Sequence, residues 1–248
     1  MQQFQPRGFS FLPLIVKNLL IINGIFFLAT IVFEKALNID LVEYLGMHYF
    51  GSPLFKPYQI ITYMFMHDPT NFMHIAFNMF ALWMFGNAIE NFWGPKRFLT
   101  YYLITGIGAI LVQMLVVYIQ IKSVESYLSQ TQISDIVANG YSFLKEGKNF
   151  IDPVSAKLNL LYNMPTIGAS GAVFGLLLAF GMMFPNSEIY LYFIIRLKAK
   201  WFVLLYGAAE LFFGIRSRGG DNIAHFAHLG GMLFGFLLIK LWKIKRVN

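Results

Sequence analysis

The chain has 248 residues, of which 57% are hydrophobic and only 12% charged. Soluble domains carry about 25% charged residues, so a water-soluble fold of this size could not hide so much apolar surface. The apolar residues also fall in long runs, which makes lipid the expected solvent. Having no cysteine excludes a disulfide framework, a thiol nucleophile and thiolate metal sites. The formal charge of +7 comes from basic residues beside apolar runs, a pattern of membrane orientation rather than of nucleic-acid binding.

Six apolar segments are read as transmembrane spans, at about 12–33, 72–92, 98–119, 165–184, 201–215 and 223–242; most have the length a span needs, and the fifth, which carries Glu210, is short. The first is interrupted by Lys17 and lacks a small-x-small cleavage site, so it is read as a membrane helix rather than a signal peptide. The chain is then expected to be all-α, a polytopic six-helix bundle forming a single membrane domain over 1–248. An even number of spans puts both termini on one side. That side holds Arg7, Lys96, Arg97, Arg196, Lys198, Lys200, Lys240, Lys243, Lys245 and Arg246, and the opposite side holds most of the acids. The positive-inside rule makes the basic side cytoplasmic. Two long outer segments, 34–71 and 120–164, remain. In the first, the apolar patch 55–63 either dips into the membrane or lies on it. In the second, Asn139-Gly140 is a turn signal. The apolar stretch 189–195 is too short to span and reads as interfacial or as a lead into the fifth helix.

The candidate chemistry lies on the even-numbered spans. The fourth opens with Gly168-Ala169-Ser170-Gly171-Ala172-Val173-Phe174-Gly175. Gly171 and Gly175 share a helix face, a small-xxx-small contact that brings backbones close. Ser170 sits in the first turn, where unpaired N–H groups and the helix dipole suit a developing oxyanion. Alone, it reads more readily as an N-cap or packing serine. In the sixth span His228, Gly231 and Gly235 fall on one face, so another helix can approach the histidine closely. The glycine-faced fourth span is the natural partner. Taken by itself, His228 could equally be a structural histidine bonded to a carbonyl. In the second span His74 and Asn78 lie four residues apart and both can donate hydrogen bonds; interhelical polar glue is the bland alternative. With the even spans running from outside to inside, His74, Ser170 and His228 all fall in outer halves.

Together these motifs resemble the rhomboid family of intramembrane serine proteases, over nearly the whole chain from about residue 13. The matching elements are His74-x-x-x-Asn78, Gly168-x-Ser170-Gly171, and Ala227-His228 followed by Gly231 and Gly235. The resemblance implies a six-helix core, a Ser170–His228 catalytic dyad, and an oxyanion hole built from His74, Asn78 and the Ser170 backbone N–H. Phe174 matches a position where the family often has a tyrosine stacked on the catalytic histidine, so any role of that hydroxyl is absent. It further implies single-span membrane proteins as substrates, no cofactor and no metal, and a home in the bilayer of a bacterial inner membrane.

Three other readings compete. A metalloprotease would draw on His67, His74, His225 and His228, but there is no His-Glu-x-x-His motif and no acid is expected on those histidine faces. A proteolytically inactive relative that binds membrane clients would tend to lose the serine or the histidine. A transporter would show internal symmetry or broken helices. No carboxylate is evident for the dyad: Asp221 is expected at the membrane surface, and Glu210, on another span, reads as a buried structural carboxyl with no assigned partner. Glu90 reads as structural. The sequence leaves the oligomeric state open.

Overall fold

The computed structural model describes residues 10–191, 195–216 and 224–246. Arg7, Asp221 and the start of the sixth span at Ile223 lie outside the described residues. Within them the chain forms ten α-helices: α1 (Leu14–Leu37), α2 (Leu41–Leu45), α3 (Gln59–Thr62), α4 (Phe72–Trp93), α5 (Pro95–Glu125), α6 (Gln130–Lys145), α7 (Pro153–Asn163), α8 (Ser170–Met183), α9 (Ala199–Arg216) and α10 (His225–Leu241). The chain is a polytopic helical membrane bundle. A helix overlaps each of the six apolar segments, and among the described residues only α1, α4 and α5 are by length and composition long and apolar enough to cross a membrane. The helix α8 has 14 residues and α10 has 17; at about 1.5 Å per residue α8 falls short of a hydrocarbon core of about 30 Å.

The distribution of polarity is that of a protein dissolved in lipid. Large apolar side chains on α1, α5, α9 and α10 face outward, among them Ile25, Leu28, Leu115, Leu205, Phe212 and Leu237. Buried positions hold polar groups such as Asn23, Thr30, Asn78, Asn87, Glu90 and Thr105 beside the apolar core. Glu90 shows how such a group is satisfied. Its two carboxylate oxygens accept from the backbone N–H groups of Ile15 (2.9 Å) and Val16 (2.8 Å). Those donors belong to the first turn of α1, where no intrahelical acceptor exists. A carboxylate also suits the positive end of the helix. One helix is thus capped by the far end of another, and the structural reading of Glu90 holds. One turn after Glu90, Gly94 at φ 78° ends α4 and lets Pro95 open α5, a one-residue turn that an L side chain would strain.

The outer segments carry more structure than their composition suggests. In 34–71, Gln59 gathers the loop: its Oε1 accepts from the N–H of Lys56 and of His48, and its Nε2 donates to the carbonyls of Tyr44 and Leu54. The patch 55–63 folds into α3 and a 3₁₀ turn, Tyr63–Phe65. In 120–164, α5 continues to Glu125, and α6 and α7 pair with each other. The Asn139-Gly140 turn expectation is overturned, because both residues lie inside α6. Gly140 is there for closeness instead. Asn159 of α7 donates to its carbonyl at 3.0 Å, and a Cβ at Gly140 would meet the Asn159 amide at 2.1 Å. Lys145 of α6 then reaches Glu43 of α2 at 3.2 Å, linking the two outer segments. The stretch 189–195, expected to be interfacial or a lead into the fifth helix, is extended where it is described, and the strand that begins at its end runs directly into α9; 192–194 lie outside the described residues. Part of it pairs as a two-stranded antiparallel hairpin, β1 (Glu188–Leu191) with β2 (Ile195–Lys198), in register Glu188 to Lys198.

Two outcomes follow for stability. Replacing Glu90 with alanine leaves the Ile15 and Val16 donors without their acceptor and should lower stability by about 1–3 kcal/mol; Glu90→Gln, which keeps one acceptor oxygen, should cost less, as read by thermal unfolding in mild detergent. The outer loops should also be acid-sensitive. Burial, reinforced by the neighbouring His74 ring, pulls His67 down to about 4, and burial lowers His48 as well. Both stay neutral in the fold and take up protons on unfolding. Stability is therefore undiminished above about pH 6.5 and lost as pH falls from there towards about 4, by up to about 3 kcal/mol for His67. The unfolding midpoint should drop across that window and drop less in His67→Phe; an equal drop in both proteins would rule His67 out as a source.

Candidate active site

The site forms where α8, α10 and α5 meet. Gly231 of α10 lies directly on the α8 backbone: a Cβ there would sit 1.8 Å from the Gly171 carbonyl oxygen. One turn on, a Cβ at Gly235 would be 3.4 Å from Gly175 Cα and 2.3 Å from the Tyr101 hydroxyl, which donates to the Gly175 carbonyl at 2.8 Å. The α8–α10 contact expected from the two glycine faces is present, with one difference. The Cβ directions of Gly171 and Gly175 point at Ala109 and Thr105 of α5, at 2.5 and 2.7 Å. The glycines of α8 thus make room for α5, Gly231 of α10 makes room for α8, and Gly235 makes room for Tyr101 of α5 as well as for α8.

This approach sets Ser170 against His228. Ser170 is the first residue of α8, and its Oγ donates to His228 Nε2 at 2.8 Å. Phe174, one turn later on α8, stacks on the His228 ring with centroids 4.1 Å apart and planes 4° from parallel. The stack continues through Tyr206 and Phe202 of α9. Stacking fixes the plane of the imidazole and the hydrogen bond fixes its direction.

Gly168 holds the approach to Ser170 open. Its φ of 125° belongs to glycine, and a Cβ there would lie 3.1 Å from His74 Nε2 and 3.4 Å from Ser170 Oγ. Hence His74 and Ser170 flank one small space. The backbone here is irregular but not loose. The N–H of Gly168 donates to the Tyr63 carbonyl at 3.0 Å, and Met47 and Thr166 exchange two backbone hydrogen bonds. Asn78 is buried one turn below His74. Its Nδ2 donates to the His74 carbonyl at 2.8 Å, so one amide hydrogen is committed to its own helix.

The largest departure from the sequence reading concerns Glu210. It is not an unassigned carboxyl: its Oε2 accepts from His228 Nδ1 at 2.9 Å and from His225 Nδ1 at 2.6 Å. The expectation that no acid faces those histidines is therefore wrong. Glu210, His225 and His228 are all buried, at 8%, 6% and 8% exposure, and could offer a metal ion three atoms within 4.8 Å of one another; hydrogen bonds join them. His67 and His74 are not part of this cluster, their rings packing against each other at 5.1 Å instead. A signal for Glu210 was available in the sequence. It lies between Gly207 and Gly214 on one face of α9, and these glycines face Met232 and the His225–Phe226 pair of α10. The helix α9 leans on α10 by the same device that joins α10 to α8.

The sequence profile described as Rhomboid domain matches residues 55–243. The chain is 27% identical over 178 residues, 72% of its length, to "Rhomboid protein 1, mitochondrial" of Saccharomyces cerevisiae. It is 28% identical over 236 residues, 88% of its length, to "Rhomboid-like protein 11, chloroplastic" of Arabidopsis thaliana. These matches span 40% and 65% of the two relatives. With the profile running from the outer loop through the end of α10, the chain belongs to the rhomboid family.

Proposed function

We propose that this chain is an intramembrane serine endopeptidase, acting as one membrane domain, that cleaves transmembrane segments of single-span membrane proteins. The observation that carries this reading is the 2.8 Å contact between Ser170 Oγ and His228 Nε2, inside a rhomboid fold that keeps both residues. A substrate segment reaches the site from the side and unwinds near the outer leaflet. Ser170 gives its proton to His228 and its Oγ attacks the scissile carbonyl. The oxyanion faces the Ser170 N–H at the start of α8, with His74 and Asn78 as further donors. His228 returns the proton to the leaving amine, and water resolves the acyl-enzyme by the same route in reverse. The inactive, client-binding alternative has less support, because the sequence keeps Ser170, His228, His74 and Asn78. The basic clusters at Lys96-Arg97 and Lys240 to Arg246 favour cytoplasmic termini, in a bacterial inner membrane.

Cleavage of a model transmembrane substrate, with fluorophosphonate labelling alongside, tests the mechanism. Ser170→Ala and His228→Ala should each abolish cleavage and labelling, and the double variant should be no worse, because residues acting as a unit are non-additive. Asn78→Ala should slow cleavage by about 10²–10³ and leave labelling measurable. Should Ser170→Ala still cleave, the serine mechanism fails. Topology is tested separately by reporter fusions after Lys122 and after Asn248, which should report opposite sides of the membrane.

A further inference from the structure

Glu210 reaches the reacting pair from α9, a helix that contributes neither nucleophile nor base. We propose that Glu210 is the positioning residue of a Ser170–His228–Glu210 relay, braced by His225; this rests on the serine-protease reading of the site. The two edges of the His228 ring meet different partners. Nε2 faces Ser170 Oγ at 2.8 Å and Nδ1 faces Glu210 Oε2 at 2.9 Å. To act as a base towards Ser170, Nε2 must be bare and the single proton must sit on Nδ1. An ionised carboxylate accepts but does not donate, so a carboxylate at Nδ1 enforces that tautomer. It also places a negative charge beside the imidazolium that forms when Ser170 attacks.

A buried carboxylate persists only when it is well bonded. His225 supplies the second donor, 2.6 Å from the same oxygen, and its ring rests against Phe213 of α9. Among the described residues, Tyr206 neighbours Glu210 and His74 neighbours His228. No basic residue joins Glu210 among the described ion pairs. Among the described residues the two imidazole N–H groups hold the charge, and one of them belongs to the base. Glu210 touches no reacting atom; it acts through the tautomer, the orientation and the charge of His228.

The full chain in detergent, with a model transmembrane substrate, tests this. Glu210→Gln keeps the shape and removes the charge. It should lower kcat by about 10²-fold or more, with KM changed by less than about twofold and Ser170 labelling slowed in parallel. His225→Phe, which removes the brace and leaves the carboxylate, should cost less than Glu210→Gln. A second measurement needs no turnover. Nitrogen-15 spectra of histidine-labelled Ser170→Ala should show neutral His228 as the Nδ1–H tautomer, and Glu210→Gln in that background should shift it towards Nε2–H. Wild-type kcat in Glu210→Gln overturns the proposal, as does an unchanged His228 tautomer whatever the rate. If the unmodified chain neither cleaves nor labels, the protease reading fails instead, and the tautomer result still decides the role of Glu210 on its own.

Discussion

The approach of α10 to α8 is backbone against backbone, and the site depends on it. Gly231 lies so close to the Gly171 carbonyl that a Cβ would sit at 1.8 Å, a distance no side chain can accommodate. Lipid tails are as apolar as leucine, so helices gain little from burying leucine against leucine; close van der Waals packing of small residues holds them together. The same closeness sets Ser170 on one helix within hydrogen-bond reach of His228 on the next. Binding and chemistry need reacting groups held to within about 1 Å, and glycine contact supplies that tolerance without a bulky spacer whose rotamers could drift. The helix α5 completes the junction from behind, with Ala109 and Thr105 filling the space that Gly171 and Gly175 leave.

The second constraint is that polar chemistry must be carried on helices that start or stop inside a lipid-facing bundle. Because α8 is only 14 residues long, its first turn, and Ser170 with it, need not lie at the bundle's outer edge. Irregular backbone preceding such a helix is tolerated only against protein or water. Here the strand-like pairing of Met47 with Thr166 and the bond from Gly168 to Tyr63 satisfy it, and the Gln59 side chain organises the loop that provides those partners. The outer segments are thus part of the apparatus that holds the start of α8 in place.

Much of this was legible in the sequence because membrane solvent simplifies the code. Long apolar runs give the helices, and glycine spacing gives the contact between α8 and α10. Polar residues on the even spans then point to Ser170, His228, His74 and Asn78. What was not legible has physical reasons. The turn expected at Asn139-Gly140 failed because a helix interior accepts glycine when a neighbour must come close, and Asn159 is invisible as that neighbour until α7 is folded. The hairpin of β1 and β2 was missed because four-residue strands carry no periodicity that distinguishes them from an apolar lead-in. Glu210 reads as a lone acid because nothing near it in the sequence can pair with it. Its partners come from α10, and only the glycines on either side of it hinted that α9 would press that face against another helix.

His228 is held by more contacts than a histidine needs for packing alone. One face of its ring is covered by Phe174, one nitrogen meets Ser170 and the other meets Glu210. Each removes a different freedom: the stack fixes the plane, the serine fixes one edge, and the carboxylate the other. A tyrosine at position 174 would stack as well and add a hydroxyl. Phenylalanine forgoes it, so polar control of the ring passes to the opposite edge and to α9. Burying a carboxylate there costs stability unless every lone pair is used well, and spending two histidines on one oxygen is an expensive way to build a merely structural contact. The arrangement makes sense where the charge has work to do on the ring between it and the serine.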